Sequence, residues 1–94
     1  MNKDNLKKCL LERGYNMRET EILSEDLSVV DKALIPCLEE WMLSGKESDF
    51  SSHGFSVKGL MQKYGLKYPA AVLSIDWVIK EPDIAIPAIQ KGIR

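Results

Sequence analysis

The stretch from Gly54 to Ile84, GFSVKGLMQKYGLKYPAAVLSIDWVIKEPDI, constrains the fold more than any other part of this chain. Ser56 is placed to cap a helix over Val57 to Tyr64, and Gly65 supplies its left-handed stop. Pro69 then sits where proline is tolerated, in the first turn of a second helix. That helix runs to about Lys80 and must end before Pro82, because proline disfavours helix at the residue before it. The stretch thus reads as a short capped helix, a glycine stop and a second, strongly apolar helix.

Upstream, Leu6, Cys9, Leu10 and Arg13 recur at helical spacing from Lys3 to Arg13, with Gly14 as the stop. A loop over Tyr15 to Arg18 follows. Leu23, Leu27, Val30 and Leu34 recur at i, i+4, i+7 and i+11, one face of a helix, and Ser24 before Glu25-Asp26 reads as its cap. Pro36 would cost about 3 kcal/mol or more inside that helix, so the break falls near Asp31. Asp31 can cap a new helix that turns Leu34, Leu38, Trp41 and Met42 inward and ends at Gly45. Lys46 to Gly54 reads as a polar loop, with Phe50 pinned to the core. Asp83 can cap a last short helix with Pro87 in its first turn and Gly92 as its stop. The expectation is an all-α, compact bundle of five or six short helices containing a helix-turn-helix-like tri-helical unit. Residues 1–94 form a single helical domain, in which an N-terminal extension (1–30) packs on a core over 32–92.

Ninety-four residues suit one domain, and 45% apolar against 29% charged residues is a globular balance. No apolar run reaches the ~18–20 residues of a membrane span, and MNKDNLKK has no signal-peptide centre. A cytoplasmic chain with no membrane contact is expected. Residues 1–52 hold seven Lys/Arg against eleven Asp/Glu, and residues 53–94 hold six against three, which together give the net charge of −1. The basic half falls well short of the clustered charge that marks a DNA-binding surface.

Ser56-Val57-Lys58-Gly59-Leu60, Gly65-Leu66, Ala71, Ile75 and Trp77-Val78-Ile79-Lys80-Glu81 together resemble the helix-turn-helix core of small bacterial winged-helix proteins, over about residues 32–84. The resemblance implies a DNA-binding transcriptional regulator, with Lys58, Lys63, Lys67 and Lys80 on phosphates. Pro82, Asp83 and Pro87 stand where a winged helix needs a β-hairpin. Between Tyr68 and Ile79 the only polar residues are Ser74 and Asp76, whereas direct readout uses Arg, Lys, Asn or Gln. The tri-helical unit is therefore read first as a packing element.

Ala71, Val72, Ile75, Val78 and Ile79 form one broad apolar face of the central helix, and Leu73 and Trp77 lie roughly opposite. Either the N-terminal helices cover Leu73 and Trp77, or these two join Tyr68 in an exposed patch for a protein partner or a second copy. Tyr68, Leu73 and Trp77 are the expected partner-binding residues. Trp41 reads as core.

Asp49, Ser51, Ser52 and His53 are neighbours in one loop, unlike triad members that converge from distant segments. Glu39-Glu40 and Glu25-Asp26 read as solvated helix charges. Cys9 and Cys37 read as free thiols, and with a single histidine they make no zinc site. No catalytic residue, metal or cofactor is expected. The leading function is a small non-enzymatic protein-interaction or regulatory module, and DNA binding is the alternative.

Overall fold

The computed structural model of the protein describes residues 2–92. The first helix, α1 (Lys3–Glu12), is opened by Asn2, whose side chain accepts from the N–H groups of Asp4 and Asn5. Leu6, Cys9 and Leu10 share its buried face. Gly14, at φ +94°, closes it: the Tyr15 N–H donates to Leu10 O and the Gly14 N–H to Leu11 O, a Schellman arrangement.

The second helix, α2 (Met17–Leu27), begins earlier than the sequence reading placed it. Asn16 and Glu19 form a reciprocal capping box, with Glu19 N–H on Asn16 Oδ1 at 2.8 Å and Asn16 N–H on Glu19 Oε1 at 3.2 Å. Ser24 is no cap. It is fully buried in mid-helix and its hydroxyl donates to Glu21 O. Val30 and Leu34 are buried as expected, but in the turn that follows α2. There the Asp31 carboxylate accepts from the Ala33 N–H, and α3 (Ile35–Ser44) starts with Pro36 in its first turn. Leu38 and Trp41 point into the core from α3, which ends at the left-handed Gly45.

The segment read as a polar loop contains a small hairpin. Strands β1 (Ser51–Ser52) and β2 (Phe55–Ser56) pair antiparallel, Ser52 opposite Phe55. Its two-residue turn has positive φ at both positions, His53 at +52° and Gly54 at +82°, the requirement of a type I′ turn. Phe50 packs against the core as expected. Histidine pays a steric penalty at φ > 0 that asparagine largely avoids. His53→Asn is therefore expected to stabilise the protein by about 0.5–1 kcal/mol, read as a higher urea midpoint at unchanged slope.

Ser56 caps α4 (Val57–Tyr64) through the Gly59 N–H at 2.9 Å, Asp49 takes the Lys58 N–H at 3.1 Å, and Gly65 ends the helix. Next come α5 (Tyr68–Lys80), with Pro69 in its first turn, and α6 (Pro82–Gln90). Helix α6 corrects the expected start. Pro82, with φ preset for a first turn, initiates it, so Pro87 falls inside the helix rather than in its first turn. Proline there removes the donor to Asp83 O, and both residues are exposed, where solvent replaces it.

The six helices account for 67% of the described residues, so the protein is an all-α bundle carrying one short hairpin. Helix α5 is its axis: α2, α4 and α6 all pack on it, and α1 packs on α2. Val72, Ile75 and Val78 of α5 are fully buried. Each such side chain contributes about 1.5–3 kcal/mol by leaving water.

Candidate interaction groove

Because α5 is the axis, most of its surface is unavailable to any ligand. Tyr68 shares the face of Val72 and Ile75, at i+4 and i+7, and is 1% exposed. Its hydroxyl donates to Cys37 O at 3.3 Å, and its ring lies 5.7 Å from that of Trp41. Burial, reinforced by the neighbouring Cys37 and by Glu47, pushes the Tyr68 hydroxyl well above the usual tyrosine range. The expectation that Tyr68 joins a surface patch is thus corrected, because the residue belongs to the core. Leu73 and Trp77 are half-buried against that core.

Asp76, 7% exposed, is a structural tie. Its Oδ1 accepts the Asp31 N–H at 2.7 Å, and its Oδ2 pairs with the Lys80 ammonium at 3.1 Å. Lys80 also donates to Val29 O at 2.7 Å. Its ammonium, the expected phosphate contact of the DNA-binding alternative, is engaged in holding the α2–α3 connection to α5. Lys58, Lys63 and Lys67 are exposed on α4 and the turn after it. The Lys63 ammonium lies 5.5 Å from the Tyr64 ring centre.

An apolar groove of about 340 Å³ opens between α2 and the α4–α5 turn. Tyr15, Ile22, Leu23, Leu66 and Ala70 line it, with Glu19 on the α2 wall and Lys67 on the turn. Glu19, Ile22 and Leu23 reach one side of α2 because they stand at i, i+3 and i+4. Ile22 is 54% exposed, a large apolar side chain left at an open edge. The Lys67 ammonium sits 4.9 Å from the Tyr15 ring centre, within cation–π range. Burial raises the Tyr15 pKa above its ordinary value, as do the carboxylates of Glu19 and Glu47. Ala70, Leu73 and Trp77 follow at i, i+3 and i+7 on α5, so Leu73 and Trp77 continue the stripe that Ala70 begins in the groove.

Comparison with protein-family models, curated proteins and solved structures finds no match for this chain. The local chemistry has to speak for itself. In the β1–β2 hairpin the Ser52 hydroxyl lies 2.7 Å from His53 Nδ1. The Asp49 carboxylate turns away, with its Oδ1 taking the backbone N–H groups of Phe50 and Lys58. The acid, hydroxyl and imidazole therefore do not assemble as a relay. Cys9 and Cys37 are free thiols, the first buried and the second half-buried. Arg13 lies against Cys9: its Nε donates to the sulfur at 3.2 Å, its Nη2 donates to Trp41 O at 2.6 Å, and its guanidinium carbon stacks 4.6 Å from the Trp41 ring centre. Among the described residues, no group of three or more His, Cys, Asp or Glu forms a metal site, and no helix is long and apolar enough to cross a membrane.

The groove was not anticipated from sequence, because it joins segments more than forty residues apart. The signal that existed was Ile22, an apolar residue off the Leu23–Leu27 stripe and bordered by Glu19, Glu21 and Glu25.

Proposed function

We propose that this chain is a small protein-interaction module that docks its partner in the groove between α2 and the α4–α5 turn, flanked by Leu73 and Trp77. The single observation that supports this reading is the open groove itself, apolar along its floor, with Ile22 left 54% exposed at its edge. A contiguous apolar surface left open to water marks an interaction site, whereas singly exposed apolar side chains do not.

The alternative, a DNA-binding regulator, asks α5 to enter a major groove. Its outward positions Ala70, Leu73 and Trp77 carry no paired hydrogen-bond donors or acceptors for base edges. Lys58, Lys63 and Lys67 would then supply backbone contacts alone, which give affinity without sequence choice.

The test uses benzoylphenylalanine placed at Ile22 or, as a control, at Leu43, which is 89% exposed on α3 beside a separate shallow pocket. Photo-crosslinking in cells is expected to give a discrete protein adduct at position 22 and none at 43. Equal adducts at both positions, or none at 22, overturn the reading. In parallel, titration with mixed-sequence duplex DNA at low salt is expected to leave the amide shifts of Val57–Lys80 unmoved. Shifts there that fade as salt rises would favour the DNA reading instead.

A further inference from the structure

We infer that the occupant of the groove is the same groove of a second copy of this chain, in a weak two-fold dimer; this rests on the interaction-module reading above. In a two-fold interface a patch meets itself, so each of its charges must find its opposite within that same patch. Among the residues that line the groove, one acid and one base, this condition is met. Glu19 stands on its α2 wall and Lys67 on the opposing turn, with Ile22, Leu66 and Ala70 between them. A two-fold axis through the floor, midway between the two walls, sets Glu19 of each copy against Lys67 of the other, twice, while apolar surface meets apolar surface.

The two charges are available for such a contact. Among the described residues neither takes part in an ion pair, and both are exposed. The capping box uses one oxygen of Glu19, accepting the Asn16 N–H, and leaves the other for the dimer. Lys67 rests over Tyr15, a contact that holds the ammonium at the rim rather than in bulk solvent. A partner segment bearing charge of a single sign would meet its own sign on one of the two walls, a juxtaposition that is costly at close range. Another copy does not, and the net charge of −1 sets little repulsion between copies. The contact is small beside the ~20–30 residues a side of a stable interface, so association is weak and concentration-dependent.

Sedimentation equilibrium over a wide concentration range tests this. The expected result is a monomer–dimer equilibrium that Ile22→Arg weakens at least about tenfold, as loss of a buried apolar anchor does. Glu19→Gln, which keeps the capping box and removes the charge, weakens it about threefold to tenfold, as does Lys67→Glu. The double exchange Glu19→Lys with Lys67→Glu restores the dimer to within about threefold of the unaltered protein, the signature of a direct charge pair. Far-UV circular dichroism of each variant confirms unchanged helix content. A monomeric mass at every concentration overturns the proposal, as does a dimer indifferent to Ile22→Arg or a correctly folded double exchange that restores nothing. Monomeric mass together with a discrete crosslink from position 22 to a different protein retires the dimer and leaves the interaction module standing. Monomeric mass with no crosslink retires both.

Discussion

Trp41→Ala is expected to remove about 3–5 kcal/mol of stability, the range for truncating a buried aromatic side chain. The indole is 4% exposed and is held from two sides. The Arg13 guanidinium stacks on it from α1, and the Tyr68 ring of α5 lies 5.7 Å away at a tilt of 33°. Three helices therefore lose a common contact at once. Domains of this size have only about 5–15 kcal/mol in total, so the variant is expected to melt some 15 °C or more below the parent. Trp77→Ala removes a half-buried ring and is expected to cost about 1–2 kcal/mol, with helix content retained. Urea denaturation followed at 222 nm separates the two. Equal losses would mean that Trp77 is as much a core residue as Trp41.

Tyr68 adds a pH dependence to the same cluster. Its pKa is raised in the folded protein, chiefly by burial, so the folded state resists losing that proton. The corresponding stability is fully present below the ordinary tyrosine value near ~10 and is lost as the pH rises through the higher folded value. Tyr68→Phe is therefore expected to flatten the alkaline decline, at a cost near ~1 kcal/mol for the hydrogen bond to Cys37 O. An unchanged alkaline slope would place the dependence on other groups, Tyr15 first among them.

The elements legible in the sequence are those whose signals lie within one turn of the chain. Ser56, Gly65, Pro69 and Gly45 each act on their immediate neighbours, and each sits where its chemistry predicts. Competing signals of equal locality were harder. Asn16 and Glu19 carry capping-box spacing, yet Ser24 before two acids offers a competing simple cap seven residues after Met17, with Leu27 where a box needs an acid. The hairpin was hidden because its strands are two residues long and its turn opens on histidine rather than asparagine or aspartate. The inward face of Tyr68 was readable, since it stands four and seven residues before Val72 and Ile75. The groove and the Arg13 bridge were not readable. They depend on which helices meet, and no periodicity within one helix specifies its neighbours.

Asp76→Ala is expected to cost about 2–3 kcal/mol, far more than a polar substitution on a surface helix, because of the partners it leaves behind. The Asp31 N–H, 45 residues away in sequence, loses a charge-assisted acceptor at 2.7 Å, a bond worth about 1.5–3 kcal/mol. Lys80 loses its carboxylate while still tethered to Val29 O. That second loss is the smaller one, since the lysine side chain is 44% exposed and solvent takes over most of its attraction. The two contributions are separable. Asp76→Asn keeps an oxygen for the Asp31 N–H and gives up only the charge, so it is expected to fall about midway between the parent and alanine. Lys80→Met, which keeps an unbranched apolar stem over α5, is expected to cost about 1 kcal/mol or less. The order alanine, then asparagine, then the lysine variant, from most to least destabilising in urea, would identify the backbone hydrogen bond as the main contribution. Lys80→Met as damaging as Asp76→Ala would instead assign it to the ion pair. Amide hydrogen exchange gives an independent readout: the Asp31 N–H should lose protection in Asp76→Ala and retain it in Lys80→Met.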